Sequence, residues 1–129
     1  MSANFDELVS ILDRLREPGG CPWDIEQTWE SYEKCLQEEL DEVIVAMRNR
    51  DAENLKEEVG DMLFNLLFVA RLAKEEGWFT IEDSITNIKE KIIRRHPHVF
   101  GDVEVADTAE VLENWARIKR EEKQEKNGK

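Results

Sequence analysis

Turn-forming residues are scarce: the 129-residue chain has only 6 Gly and 3 Pro. That argues against a sheet protein with many tight turns and favours long helices. Cysteine is nearly missing too. The two present, Cys21 and Cys35, make no disulfide framework and read as reduced thiols. Positive charge is in deficit, with 18 Lys and Arg against 30 Asp and Glu and a formal net charge of −12. Nucleic-acid backbones and anionic membranes would be repelled, which excludes a general binder of either. A small anionic ligand held by metal ions and a local basic patch stays open. The N-terminus, "MSANFDELVS", has no basic stretch followed by an apolar run, so no signal peptide is expected. The most apolar stretch, "MLFNLLFVARLA", is broken by Asn65 and Arg71 and is about half a membrane span. The expectation is a soluble, cytoplasmic protein.

What is present is 40% hydrophobic and 37% charged, too apolar and too well patterned for disorder. The length suits one domain. Phe5, Leu8, Val9, Leu12 and Leu15 predict a first helix stopped by "EPGG" at 17–20. After a "CPWDIEQT" loop, a second helix is predicted from about Ser31 to Asn49, with Leu36, Leu40, Val43 and Met47 as its buried stripe. Asp51 is placed to cap a third helix over about 52–76. From Val59 to Ala73 that helix is apolar almost all round, which predicts a central, buried element. Gly77 suits its C-terminal stop. A fourth helix carries Ile81, Ile85, Ile88 and Ile92 and ends at Pro97; a fifth starts at Thr108 and runs through Trp115 and Ile118. The expected fold is an all-α, antiparallel bundle of about five helices, with residues 122–129 as a charged, frayed tail.

Acids at i, i+3 spacing recur on the second and third helices. Glu39 and Glu42 lie about 60° apart on a helical wheel, as do Glu58 and Asp61. Asn65 continues the second line. Asp61 sits inside apolar sequence without a basic residue at i±3 or i±4, so burial would require a partner from elsewhere in the fold. The short "RNRD" link makes these helices antiparallel neighbours, which sets Glu42 level with Glu58 and Glu39 level with Asp61. Four carboxylates so close need a cation, and an all-oxygen set suits Mg²⁺ or Mn²⁺. Spacing alone leaves a solvated acidic face equally open.

The set fits the E-E-x-x-E … E-x-x-D pattern as Glu38-Glu39-x-x-Glu42 and Glu58-x-x-Asp61. With "GCPWDIEQT", "EEGWFTIEDSI", "KIIRRHPHVFGD" and "NWARIKREEK" in order, the chain resembles the MazG family of all-α nucleoside triphosphate pyrophosphohydrolases. The resemblance extends over roughly residues 8–123, so a MazG-like domain is expected over 1–121. Many family members carry two tandem copies, whereas this chain has one.

The resemblance implies Mg²⁺-dependent cleavage of nucleoside triphosphates, ribo- or deoxyribo-, between the α and β phosphates, in nucleotide-pool house-cleaning. It implies Glu39, Glu42, Glu58 and Asp61 as metal ligands, with Mn²⁺ a possible substitute. Glu38 is a catalytic candidate that either orients water or faces solvent. Lys91, Arg95, Trp115 and Lys119 are implied nucleotide contacts, with Arg94, Trp23 and Asn65 beside them. Arginine and lysine would take phosphates; Trp115 is read either as stacking on the nucleotide or as core. His96 and His98 are read as ordering a loop or edging a phosphate rather than binding metal. The family also implies a homo-oligomer, a dimer or a dimer of dimers, that completes the bundle. Two alternatives remain: a narrower dCTP, dUTP or phosphoribosyl-ATP pyrophosphohydrolase, and a helical dimerisation module that binds nucleotide without turnover.

Overall fold

The computed structural model describes residues 2–127, and among these every regular element is a helix. The order is α1 (Ala3–Arg16), α2 (Pro22–Glu26), α3 (Trp29–Asn49), α4 (Ala52–Glu75), α5 (Ile81–Arg95), α6 (Pro97–Phe100) and α7 (Thr108–Asn127). The chain divides into two compact units, one ending at Ile81 and the other beginning at Glu82.

In the first unit the helix boundaries follow local chemistry. Thr28 caps α3 through a reciprocal box: Ser31 N–H donates to Thr28 Oγ1 at 3.2 Å and Thr28 N–H to Ser31 Oγ at 2.8 Å. Arg50 ends α3 at φ 52°, and the next residue, Asp51, accepts from Asn54 N–H at 3.2 Å to start α4. A link this short forces α3 and α4 side by side and antiparallel. Gly77, at φ 75°, ends α4, with Trp78 N–H bonded to the Ala73 carbonyl. The core is Leu12 of α1, Tyr32 of α3, and Leu67, Phe68 and Leu72 of α4, with Phe5, Leu8, Val9, Phe64 and Ile81 against it.

Two predicted faces turn out differently. On α3 the buried line is Tyr32, Glu39 and Ala46, whereas Leu40 and Met47 are exposed. On α4, burial gathers beyond Leu67, while Val59, Leu63 and Leu66 are exposed. Between Val59 and Leu66 the α4 sequence is apolar almost all round, yet the chain leaves much of that stretch uncovered.

The "CPWDIEQT" segment, expected as loop, contains the short helix α2 with Pro22 in its first turn. Arg16 holds it. Its Nη1 donates to the carbonyls of Asp24 (2.7 Å), Ile25 (3.2 Å) and Gln27 (2.9 Å). Its Nε and Nη2 grip Glu75 at 2.9 and 2.6 Å. These bonds pull the Glu75 carboxyl below its ordinary pKa. Arg71 joins the network, bonding Glu75 at 3.0 Å and pairing with Asp13.

In the second unit, "RRHPHVFG" also gains a turn of helix, α6, with Pro97 at its start. Of the stretch 122–129 expected as a frayed tail, residues 122–127 continue α7 to Asn127, while residues 128–129 lie outside the described range. Glu122 is fastened there by Arg94 Nε at 2.6 Å and Arg95 Nη2 at 2.8 Å.

Arg16 is nearly buried, and its removal takes the shared donor from three carbonyls and leaves Glu75 with Arg71 alone. Arg16→Ala is expected to lower the unfolding free energy by about 3 kcal/mol. Urea denaturation followed by circular dichroism checks this; a loss no larger than that of an exposed arginine would contradict it.

Candidate metal centre at the α3–α4 seam

Glu39 faces inward because it falls on the α3 line that also carries Tyr32 and Ala46, spaced by seven residues. On α4, Glu58 lies fourteen residues before buried Leu72, close to four whole turns, and shares its inward face. The two antiparallel helices therefore bring two carboxylates into their seam. Both residues are 8% exposed. Glu39 Oε1 and Glu58 Oε2 are fully buried with no hydrogen-bond partner. Carboxylate oxygens of Glu39, Glu58 and Asp61 lie within 4.8 Å of one another.

Burial pushes the Glu39 carboxyl up to about 8, and the adjoining carboxyls of Glu58, Glu42 and Asp61 add to the rise. All four acids singled out by spacing therefore act on one point. Their layering is closer than predicted: Glu39, expected level with Asp61, also meets Glu58 and Glu42. Asp61 departs further from expectation. It is exposed, so the uncompensated burial argued for it belongs to Glu39 and Glu58 instead.

Beside the cluster, Asp41, Glu42, Val45, Asn54 and Glu58 line an open cavity of ≈ 370 Å³. Asp41 and Asn54 were not among the predicted site residues. Asn54 lies one turn before Glu58, a spacing that gives the clue. Asn65, one turn beyond Asp61, is half-buried and accepts from the Tyr32 hydroxyl at 2.7 Å. Glu38 stays outside the cluster, exposed and within 3.8 Å of Lys34. Trp23 on α2 is 53% exposed.

The remaining predicted residues belong to the second unit. Arg94 and Arg95 share the Glu122 carboxylate, whose pKa they hold down at about 2. Lys91 is half-buried and Lys119 exposed. Trp115 is half-buried, edge-on to His96 at 5.2 Å, and its Nε1 is buried without a partner. His96 Nδ1 lies 2.6 Å from the Ile92 carbonyl and its ring lies 5.4 Å from that of His98.

The donor set fits a hard divalent cation. It is all oxygen, two members have buried oxygens without partners, and two oxygens across one Mg²⁺ lie about 4 Å apart, close to the span seen here.

The raised Glu39 pKa has a consequence for the metal-free protein. Between 4.5 and about 8 the folded state keeps a proton that the unfolded chain has released, so stability falls as pH rises through that window. Denaturation midpoints in chelator are expected to drop across it, and Glu39→Gln is expected to flatten the decline. A midpoint that rises over the same range would contradict the assignment.

Comparison with known proteins agrees with this geometry. Residues 27–100 match the model of the MazG nucleotide pyrophosphohydrolase domain. The nucleoside triphosphate pyrophosphohydrolase/pyrophosphatase MazG of Thermotoga maritima is 48% identical over 122 residues, 95% of this chain and 46% of that protein. The nucleoside triphosphate pyrophosphohydrolase of Escherichia coli K12 is 44% identical over 123 residues, 95% of this chain and 47% of that protein. The chain thus spans about half the length of these curated relatives. The crystal structure of a MazG-related protein from Thermotoga maritima superposes with a TM-score of 0.74 at 33% identity, over 89% of this chain and 98% of that one. On the strength of the matched domain and these relatives, the chain belongs to the MazG nucleotide pyrophosphohydrolase domain family.

Proposed function

We propose that this chain hydrolyses nucleoside triphosphates between the α and β phosphates, with Mg²⁺, to a monophosphate and pyrophosphate, and so clears surplus or non-standard nucleotides. The observation that carries this is the buried pair Glu39 and Glu58, each with an oxygen lacking a partner, beside Glu42 and Asp61. Buried acids left in that state cost several kcal/mol, which a functional cation offsets. That relatives from Thermotoga maritima and Escherichia coli are nucleoside triphosphate pyrophosphohydrolases supports the substrate class.

Glu39, Glu42, Glu58 and Asp61 would hold the cation, Mg²⁺ or in its place Mn²⁺. When bound, it neutralises charge on the phosphates and lowers the pKa of a water. The side chains do the rest. Buried Glu39 and Glu58 fix the inner ligands and exclude solvent from behind them. Exposed Asp61 and Glu42 face the side from which a ligand can enter. Lys91, Arg94, Arg95 and Lys119 would take phosphate oxygens, and Trp115 and Trp23 offer aromatic surface to the nucleoside. The exposed apolar side chains Leu40, Met47, Val59, Leu63 and Leu66 support a homo-oligomer, since single chains seldom leave so much apolar surface uncovered.

Incubation with a panel of triphosphates and Mg²⁺ tests the reaction. Monophosphate with pyrophosphate supports it; diphosphate with orthophosphate overturns α–β cleavage; no turnover favours a binding module. Turnover confined to one base selects the narrower enzyme. Asp61→Ala, at an exposed position, is expected to keep the helical spectrum and lose turnover by about a hundredfold or more. Full activity in that variant removes Asp61 from the site.

A further inference from the structure

Tyr32, the chain's one tyrosine, is 4% exposed and has no part in the chemistry above. Its ring is stacked on Phe68 at 4.2 Å and 11°, which leaves the side chain little freedom. Its hydroxyl donates to Asn65 Oδ1 at 2.7 Å. Burial, with Cys35 and Asp24 nearby, pushes the phenol pKa well above its ordinary value. The hydroxyl therefore keeps its proton and stays a donor. Asn65 stands one helical turn beyond Asp61, on the line that carries the acids.

A side-chain amide binds Mg²⁺ through its oxygen. Here that oxygen faces Tyr32, so the amide is turned with its nitrogen the other way. What Asn65 has left to offer is an NH₂ group, which donates and cannot accept. A donor beside a carboxylate cluster complements oxygen atoms that carry lone pairs, such as phosphate oxygens or sugar hydroxyls.

We propose that Tyr32 is a positioning residue that locks the Asn65 amide with its NH₂ toward an acceptor oxygen of the nucleotide, making Asn65 a substrate contact and not a metal ligand. This rests on the triphosphate reading of the site. Without the hydroxyl the amide is free to turn over, and half of its orientations then present an oxygen to the substrate's oxygens.

Tyr32→Phe tests it, because the ring and its stack on Phe68 are retained. The expected result is a KM raised about fivefold with kcat within about twofold, the effect of one neutral hydrogen bond. Asn65→Ala is expected to raise KM at least as much. Tyr32→Phe added to Asn65→Ala should then change nothing further, since Tyr32 acts through the amide. Direct Mn²⁺ titration of Asn65→Ala, without nucleotide, is expected to match the unaltered protein. Equal penalties on ATP and dATP assign the contact to a group the two share, a phosphate or the 3′-hydroxyl; a penalty missing on dATP assigns it to the 2′-hydroxyl. An unchanged KM in Tyr32→Phe overturns the proposal, as do additive effects in the double variant. A tenfold loss of Mn²⁺ affinity in Asn65→Ala overturns it as well, by making that residue a ligand. An unaltered protein without turnover would instead remove the triphosphate reading, leaving the Mn²⁺ result to judge the ligand question alone.

Discussion

Two carboxylates held in one helix seam are the constraint around which the first unit is organised. Glu39 and Glu58 are both 8% exposed, and neither forms an ion pair among the described residues. Burying acids this close together works against the approach of α3 and α4, and something must hold the helices together. The two-residue link at Arg50 and Asp51 fixes the pair at one end. At the other, Tyr32 stacked on Phe68 and packed with Leu67, Leu72 and Leu12 closes the seam with apolar contact. The acid layer lies between two firm attachments. That arrangement keeps the carboxylates close together.

Arg16 shows that this unit can satisfy a buried charge when the role is structural. Its guanidinium meets three carbonyls and Glu75, and no donor group is wasted. Glu39 and Glu58 are buried comparably and have unmet oxygens. One protein thus contains both outcomes, a cation met by partners from within and two buried acids that each keep an oxygen without one. The contrast separates architecture from chemistry better than burial alone, since both kinds of group are equally hidden from water.

The same contrast explains what could be read from the sequence. Acid spacing at i, i+3 on two helices joined by a short link was enough to identify the four carboxylates, because helical periodicity determines which side chains share a face. Which acids were buried could not be read in that way. Asp61 stands among apolar neighbours in the sequence, yet those neighbours, Val59 and Leu63, are themselves exposed; apolar surroundings along a chain are not burial in space. The α3 stripe failed for a related reason. Leu40 and Met47 outrank Tyr32, Glu39 and Ala46 in hydrophobicity, but the helix turns the latter three inward. Glu122 was hidden within a charged C-terminal run, and only its two arginine partners distinguish it from the solvated glutamates around it.

Charge balance bears on how a polyphosphate would be taken up. The chain carries −12, so attraction for an anion has to be local. Arg94 and Arg95 supply less of it than their number indicates, because one carboxylate already lies between them. Lys91 and Lys119 form no ion pair among the described residues, but two lysines are few against the three or four negative charges of a triphosphate. The carboxylates at the α3–α4 seam add further repulsion. On the proposed function this balance favours a nucleotide whose phosphates are already neutralised by Mg²⁺ over a bare one. The unpaired acids then act as a filter as well as a binding site: they repel the free anion and attract the metal complex.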